Sequence, residues 1–179
     1  MSKTLFVKEL TLSVALLSLA SCHIFSQALN DDGNGPLAEA RIKKNSDEEQ
    51  LREEIIEFAS EYLGIRYRSA GKSPSGFDCS GFVYYVMKEF NVKMAASSAT
   101  QENQGKKISK KEVLPGDLVF FRRSKGGRVF HVAMVLENND GEITLIHSTT
   151  NRGVVIDHLE DSSYWKSKVM TFRNVLSNM

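Results

Sequence analysis

Cys79 stands in the run Gly76-Phe77-Asp78-Cys79-Ser80-Gly81-Phe82-Val83, a pattern that puts a thiol on the first residue of a helix. Asp78 has the side chain of an N-cap, and Phe82, Val83, Tyr85 and Val86 supply an apolar face behind it. At that position the unpaired N–H groups and the positive end of the helix dipole favour thiolate over thiol. Two histidines downstream, His131 and His147, fall in strand-like segments and could supply a base and its orienter. Together they amount to the equipment of a thiol hydrolase. The competing reading of Cys79 is a buried, inert core cysteine. Its polar neighbours Asp78 and Ser80, and the Gly/Pro-rich loop from Ser73 to Gly76, suit reactivity better.

Other uses of these residue types fit less well. One cysteine and two histidines could bind zinc, but the chain has no close ligand pair of the C-x-x-C or H-E-x-x-H kind. The expected metal content is therefore none, and no other cofactor is implied. Thiol redox chemistry would need a resolving cysteine. Of the remaining histidines, His158 lies beyond the next strand, at the surface, and His23 belongs to the N-terminal segment. If Cys79 and His131 form an ion pair, each stabilises the charged form of the other, which lowers the thiol pKa and raises that of the imidazole.

Elements must hold these groups together. Ser46 and Glu49 form a capping box ahead of a helix whose stripe is Leu51, Ile55, Phe58, Ala59 and Tyr62, with Gly64 as its stop. The Cys79 helix is expected to run to about Phe90. Strands are expected over Leu118 to Phe121, Val129 to Glu137, Ile143 to Ser148, Gly153 to Asp157 and Val169 to Val175. Helices followed by adjacent strands predict an α+β fold, with helices on a central antiparallel sheet. Register sharpens the test, because side chains alternate faces along a strand. A plain two-residue Asp140-Gly141 turn would put His131 and His147 on opposite faces. Sharing a face requires a bulged or odd-length connection, most simply a three-residue Asn139-Asp140-Gly141 loop.

The N-terminus reads as a targeting segment. Lys3 and Lys8 precede the apolar stretch Leu10 to Ala20, too short for an ordinary membrane-spanning helix, and Leu19-Ala20-Ser21-Cys22 follows. The pattern is that of a bacterial lipobox, with cleavage before Cys22 and lipid on Cys22. Simple secretion with a cut at Ser26-Gln27-Ala28 is the alternative. The domain expectation is a signal peptide over 1–21, a flexible tether over 22–46 and a single domain over 47–179. Without residues 1–21, basic and acidic residues are equal in number, so nothing in the charge balance favours nucleic acid. A lipidated Cys22 would leave Cys79 as a lone thiol in an exported compartment, where an unused thiol is a liability.

Five segments in order carry a family resemblance: Gly64-Ile65-Arg66-Tyr67-Arg68, Asp78-Cys79-Ser80-Gly81-Phe82-Val83, Pro115-Gly116-Asp117-Leu118-Val119-Phe120-Phe121, His131-Val132-Ala133 and Ile146-His147-Ser148. From about Glu53 to Leu176 the chain resembles NlpC-type cell-wall cysteine peptidases, most of all the Spr-type lipoprotein murein endopeptidases, including the Tyr164-Trp165-Lys166 close. The resemblance implies a papain-like fold that hydrolyses amide bonds of peptidoglycan stem peptides, at the cell envelope and facing the periplasm. It further implies Cys79 as nucleophile, His131 as base, His147 as orienter and Tyr67 as a hydroxyl facing the site. Ser80 is a possible substrate contact. The chain departs from the family at Ala70-Gly71, often Gly-Gly, and at Ala133, often Gly. Ala95-Ala96 stands where Pro-Arg is common, which bears on bond specificity. Two other classes remain in play: a non-cleaving lipoprotein that binds murein or a protein, and an amidase or acyltransferase on the same fold.

Overall fold

The computed structural model describes residues 35–177. The lipobox and Cys22 lie outside the described residues, as does the 22–34 part of the expected tether. The first element is α1, Pro36–Ser60. Pro36 opens it, its fixed φ suited to a first helical position, and Gly35 O accepts from Ala38 N and Glu39 N. Ser46 is therefore interior, which corrects the expected start of the helix. Leu37 through Lys44 contains no helix breaker, and an interior Ser costs only a few tenths of a kcal/mol, so a capping residue does not by itself begin a helix. The expected stripe is real: Ile55 and Ala59 are fully buried, with Leu51, Phe58 and Tyr62 packed beside them.

A two-stranded hairpin, β1 (Lys72–Ser73) and β2 (Gly76–Phe77), leads into α2, Cys79–Glu89. The short α3 (Ser98–Gln101) and β3 (Lys106–Ile108) follow. Then come β4 (Leu118–Arg122), β5 (Val129–Asn139), β6 (Glu142–Thr149), β7 (Gly153–His158), α4 (Ser163–Lys166) and β8 (Val169–Asn174). The main sheet has the order β3-β8-β4-β5-β6-β7, and every pair in it is antiparallel. The fold is α+β with an antiparallel sheet, as expected.

One face of the sheet, with Phe120, Val132, Met134 and Ile146, packs against Phe82, Val83 and Val86 of α2 and Ile55 of α1. The other, with Phe121, Ala133, Val135 and Leu145, is covered by Leu159 and Trp165. The Pro115-Gly116-Asp117 segment is a clasp. Arg52 Nη1 donates to Pro115 O at 2.7 Å and to Asp117 Oδ1 at 3.0 Å, joining α1 to the start of β4.

The hairpin between the two histidines settles their register in an unexpected way. Its turn is the two-residue Asp140-Gly141, both at positive φ, in keeping with a type I′ connection. The extra residue sits inside β5: Val135 pairs with Leu145 but Glu137 pairs with Thr144, so Leu136 forms a bulge. Continuing the register beyond the bulge places His147 opposite Ala133, on the face that His131 shares. The structure thus has the bulge and not the three-residue loop. A two-residue turn coexists with a shared face because the odd residue is absorbed in the strand.

Candidate active site

The Cys79 side chain is positioned by the start of α2. Asp78 is the N-cap, in extended conformation (φ −87°, ψ 176°), and its Oδ1 accepts from Gly81 N at 2.6 Å. Behind it the helix start sits against the loop before β1. Asp78 N donates to Gly71 O at 3.0 Å, and Gly81 lies so near that same carbonyl that a Cβ would have no room. Ser148 Oγ of β6 donates to the buried Phe77 O at 2.7 Å, tying the residue beside His147 to the chain entering α2.

Cys79 and His131 line one cleft of about 690 Å³, together with Tyr67, Arg152, Asp157 and Trp165. His131 and His147 are both buried. His131 Nε2 lies 2.8 Å from His147 Nδ1, and His147 Nε2 lies 3.0 Å from Asp157 Oδ2. Trp165 stacks on His131 with centroids 4.5 Å apart and an interplanar angle of 27°, and its Nε1 donates to Asp157 Oδ2 at 3.2 Å. Arg152 grips both carboxylate oxygens of Asp157. Among the described residues no hydrogen bond joins Cys79 Sγ to a ring nitrogen, a looseness common in unliganded sites.

Burial dominates the protonation of the pair. It pushes the Cys79 thiol up, only partly opposed by the N–H groups of Val132, Ser80 and Cys79 itself. His131 is pushed down to about 3, by burial first and by His147 second. Both directions are opposite to those of the expected ion pair, because desolvation of the charged forms exceeds what the helix start returns. His147 is likewise lowered by burial, with Asp157 opposing. For Asp157 burial pulls upward, but Arg152 and His147 outweigh it and hold the carboxyl below its ordinary value.

The remaining expected residues fall in different places. Tyr67 lines the cleft, bridged to Phe77 next to the start of α2, and its hydroxyl pKa is raised by burial and by the neighbouring Cys79 and Asp78. Ser80 does not line the cleft. Its hydroxyl donates to Asp78 Oδ1 at 3.0 Å and to Ala96 O at 3.3 Å, so the expected substrate contact gives way to a first-turn tie. His158 is exposed and touches Thr144. Asp157, Arg152 and Trp165 were not anticipated as site residues. Hairpin arithmetic could have found Asp157: the β6–β7 register pairs His147 with Val155 and Leu145 with Asp157, which puts Asp157 on the face of His147.

The NlpC/P60 family model matches residues 64–174. The chain belongs to the NlpC/P60 family. It is 34% identical over 128 residues to the murein DD-endopeptidase MepS/murein LD-carboxypeptidase of Escherichia coli K12, a match that covers 71% of this chain and 64% of that protein. It is 36% identical over 113 residues to the probable endopeptidase NlpC of the same strain, with 63% and 70% of the two chains covered. Among solved structures, an NlpC/P60 family protein from Bacillus cereus aligns with TM-score 0.64 at 33% identity, over 70% of this chain and 40% of that one. A papain-like NlpC-type fold is thereby shown.

Proposed function

We propose that this protein is a peptidoglycan endopeptidase that hydrolyses stem-peptide amide bonds involving diaminopimelate, with Cys79 as nucleophile, His131 as general base and acid, and His147 as orienter. The observation that carries the reading is a thiol at a helix start opening into the same cleft as His131, whose Nε2 is hydrogen-bonded to the buried His147 Nδ1. The murein DD-endopeptidase name of the Escherichia coli relative supports the substrate class.

His131 Nε2 is engaged by His147, so Nδ1 is the nitrogen left for the thiol. As Sγ attacks the amide carbonyl carbon, its proton passes to His131 Nδ1. The Cys79 N–H and the Tyr67 hydroxyl hold the oxyanion. The C–N bond then breaks, and His131 returns the proton to the leaving amine. A water molecule attacks the resulting thioester with His131 again taking a proton, which releases the acid and restores the thiol. The pair begins neutral, so proton transfer accompanies attack.

The Ala95-Ala96 departure from the family's Pro-Arg bears on which bond is cut. The Ala95-Ala96 segment does not line the cleft and is held by its backbone, with Gln104 Oε1 accepting from Ala95 N, Gln101 Nε2 donating to Ala95 O and Ser80 Oγ donating to Ala96 O. Lipid on Cys22 would hold the enzyme at the cell envelope, facing the periplasm. Purified residues 23–179 should convert cross-linked muropeptide dimers to monomers, with mass spectrometry identifying the bond cut. Cys79→Ala should abolish conversion; undiminished conversion would sink the proposal.

A further inference from the structure

We infer that Asp157 is a positioning residue of this site: held by Arg152 and Trp165 as a pure acceptor, it fixes the tautomers of His147 and His131 so that His131 Nδ1 is left bare for the Cys79 proton. The inference rests on the thiol-peptidase reading above and adds a fourth, acidic member to its chain of groups.

The argument runs through donors and acceptors. Asp157 Oδ1 accepts from Arg152 Nη1 at 3.0 Å; Oδ2 accepts from Arg152 Nη2 and from Trp165 Nε1 at 3.2 Å. Every contact made to this carboxylate by Arg152 and Trp165 is a donation, so the group is ionised and has nothing to give. The 3.0 Å approach of His147 Nε2 to Oδ2 is then attractive only if Nε2 carries the hydrogen. A neutral His147 protonated on Nε2 has a bare Nδ1. At 2.8 Å from it, His131 Nε2 must be the donor, which leaves His131 Nδ1 bare. When His131 takes the thiol proton it becomes a cation with both nitrogens protonated, and no hydrogen bond in the chain has to be reversed. Asp157 stays ionised throughout and offsets that charge from two residues away along the chain of contacts, without receiving a proton.

The carboxylate is suited to this by its surroundings. Its side chain is only 17% exposed, and it stands on β7 on the same face as His147. Trp165 contributes twice, donating to Oδ2 and stacking on His131, so one side chain references both ends of the chain.

The test combines ring-nitrogen NMR on histidine-labelled protein with steady-state kinetics on muropeptide dimers. In the wild type both His131 and His147 should show Nε2 protonated and Nδ1 bare. Asp157→Ala removes the acceptor: the His147 signals should move to a tautomer mixture and kcat should fall roughly 10- to 100-fold with KM little changed, as expected for losing a hydrogen bond to a charged group. Asp157→Asn can keep an oxygen toward His147 and should retain the tautomers while losing part of kcat through the missing charge. A wild-type His147 protonated on Nδ1 would overturn the inference, and so would Asp157→Ala with unchanged tautomers. A purely structural role would lower the melting temperature and leave the ring nitrogens as they are. Should the wild type fail to cleave muropeptides, the function proposed above falls, while its ring spectra still decide the role of Asp157.

Discussion

The opposing pKa directions of Cys79 and His131 make a solution prediction that a pre-formed ion pair would not. With the imidazole pushed down to about 3, His131 is already the free base throughout the neutral range. With the thiol pushed up by burial, Cys79 keeps its proton to higher pH than an ordinary cysteine at ~8.5. The value of kcat/KM, which reports the free enzyme, should therefore be flat across neutrality and fall only at alkaline and strongly acidic pH. Iodoacetamide should modify Cys79 with a midpoint above that ordinary value; a midpoint below neutrality would restore the ion-pair reading. The two histidines should also separate. His131→Ala should lose nearly all activity, whereas His147→Ala should remain weakly active, since it removes orientation and keeps nucleophile and base. Equal and complete losses, measured as kcat on defined muropeptides, would count against an orienting role.

At the level of elements, the helix start that presents Cys79 depends on close backbone approach. An added Cβ at Gly81 would collide with Gly71 O, the same carbonyl that receives Asp78 N. Gly81→Ala must push α2 away from the loop and carry Sγ with it. A displacement of ~1 Å is worth about 100-fold in rate, so kcat/KM should drop by that order even if circular dichroism shows the helix retained. A Gly81→Ala enzyme with wild-type kinetics would show that this contact does not set the thiol. Legibility divides along similar lines. The five longer strands and α2 were readable to within two residues because apolar alternation and turn residues mark them locally. The bulge at Leu136 was not, because it is enforced by pairing across the hairpin while the Asp140-Gly141 turn looks regular. The insertion of β8 between β3 and β4 was equally hidden, since strand order depends on partners remote in sequence. Asp157 was missed for a related reason: an aspartate at the end of a strand looks like a turn residue until its register with His147 is worked out.

On the scale of the whole molecule, the question is what would hold the enzyme at a membrane. Among the described residues no helix is long and apolar enough to cross one. Without residues 1–21 the formal net charge is zero, which leaves little attraction to anionic headgroups, worth ~1 kcal/mol for each basic residue near the surface. The sequence offers one other device, the Leu19-Ala20-Ser21-Cys22 run. A single acyl chain binds only marginally, so stable attachment through Cys22 calls for more than one chain at that residue. In cells, Cys22→Ser should therefore cost the protein its labelling by radioactive palmitate and shift it from the membrane fraction to the soluble envelope fraction. The cleft lies in the domain after Ser46, so muropeptide conversion by purified residues 23–179 should match that of the detergent-solubilised lipidated protein. Continued membrane fractionation of Cys22→Ser would reject the anchor and leave a protein partner to explain location. Loss of conversion on removing the anchor would instead mean that the lipidated Cys22 takes part in catalysis.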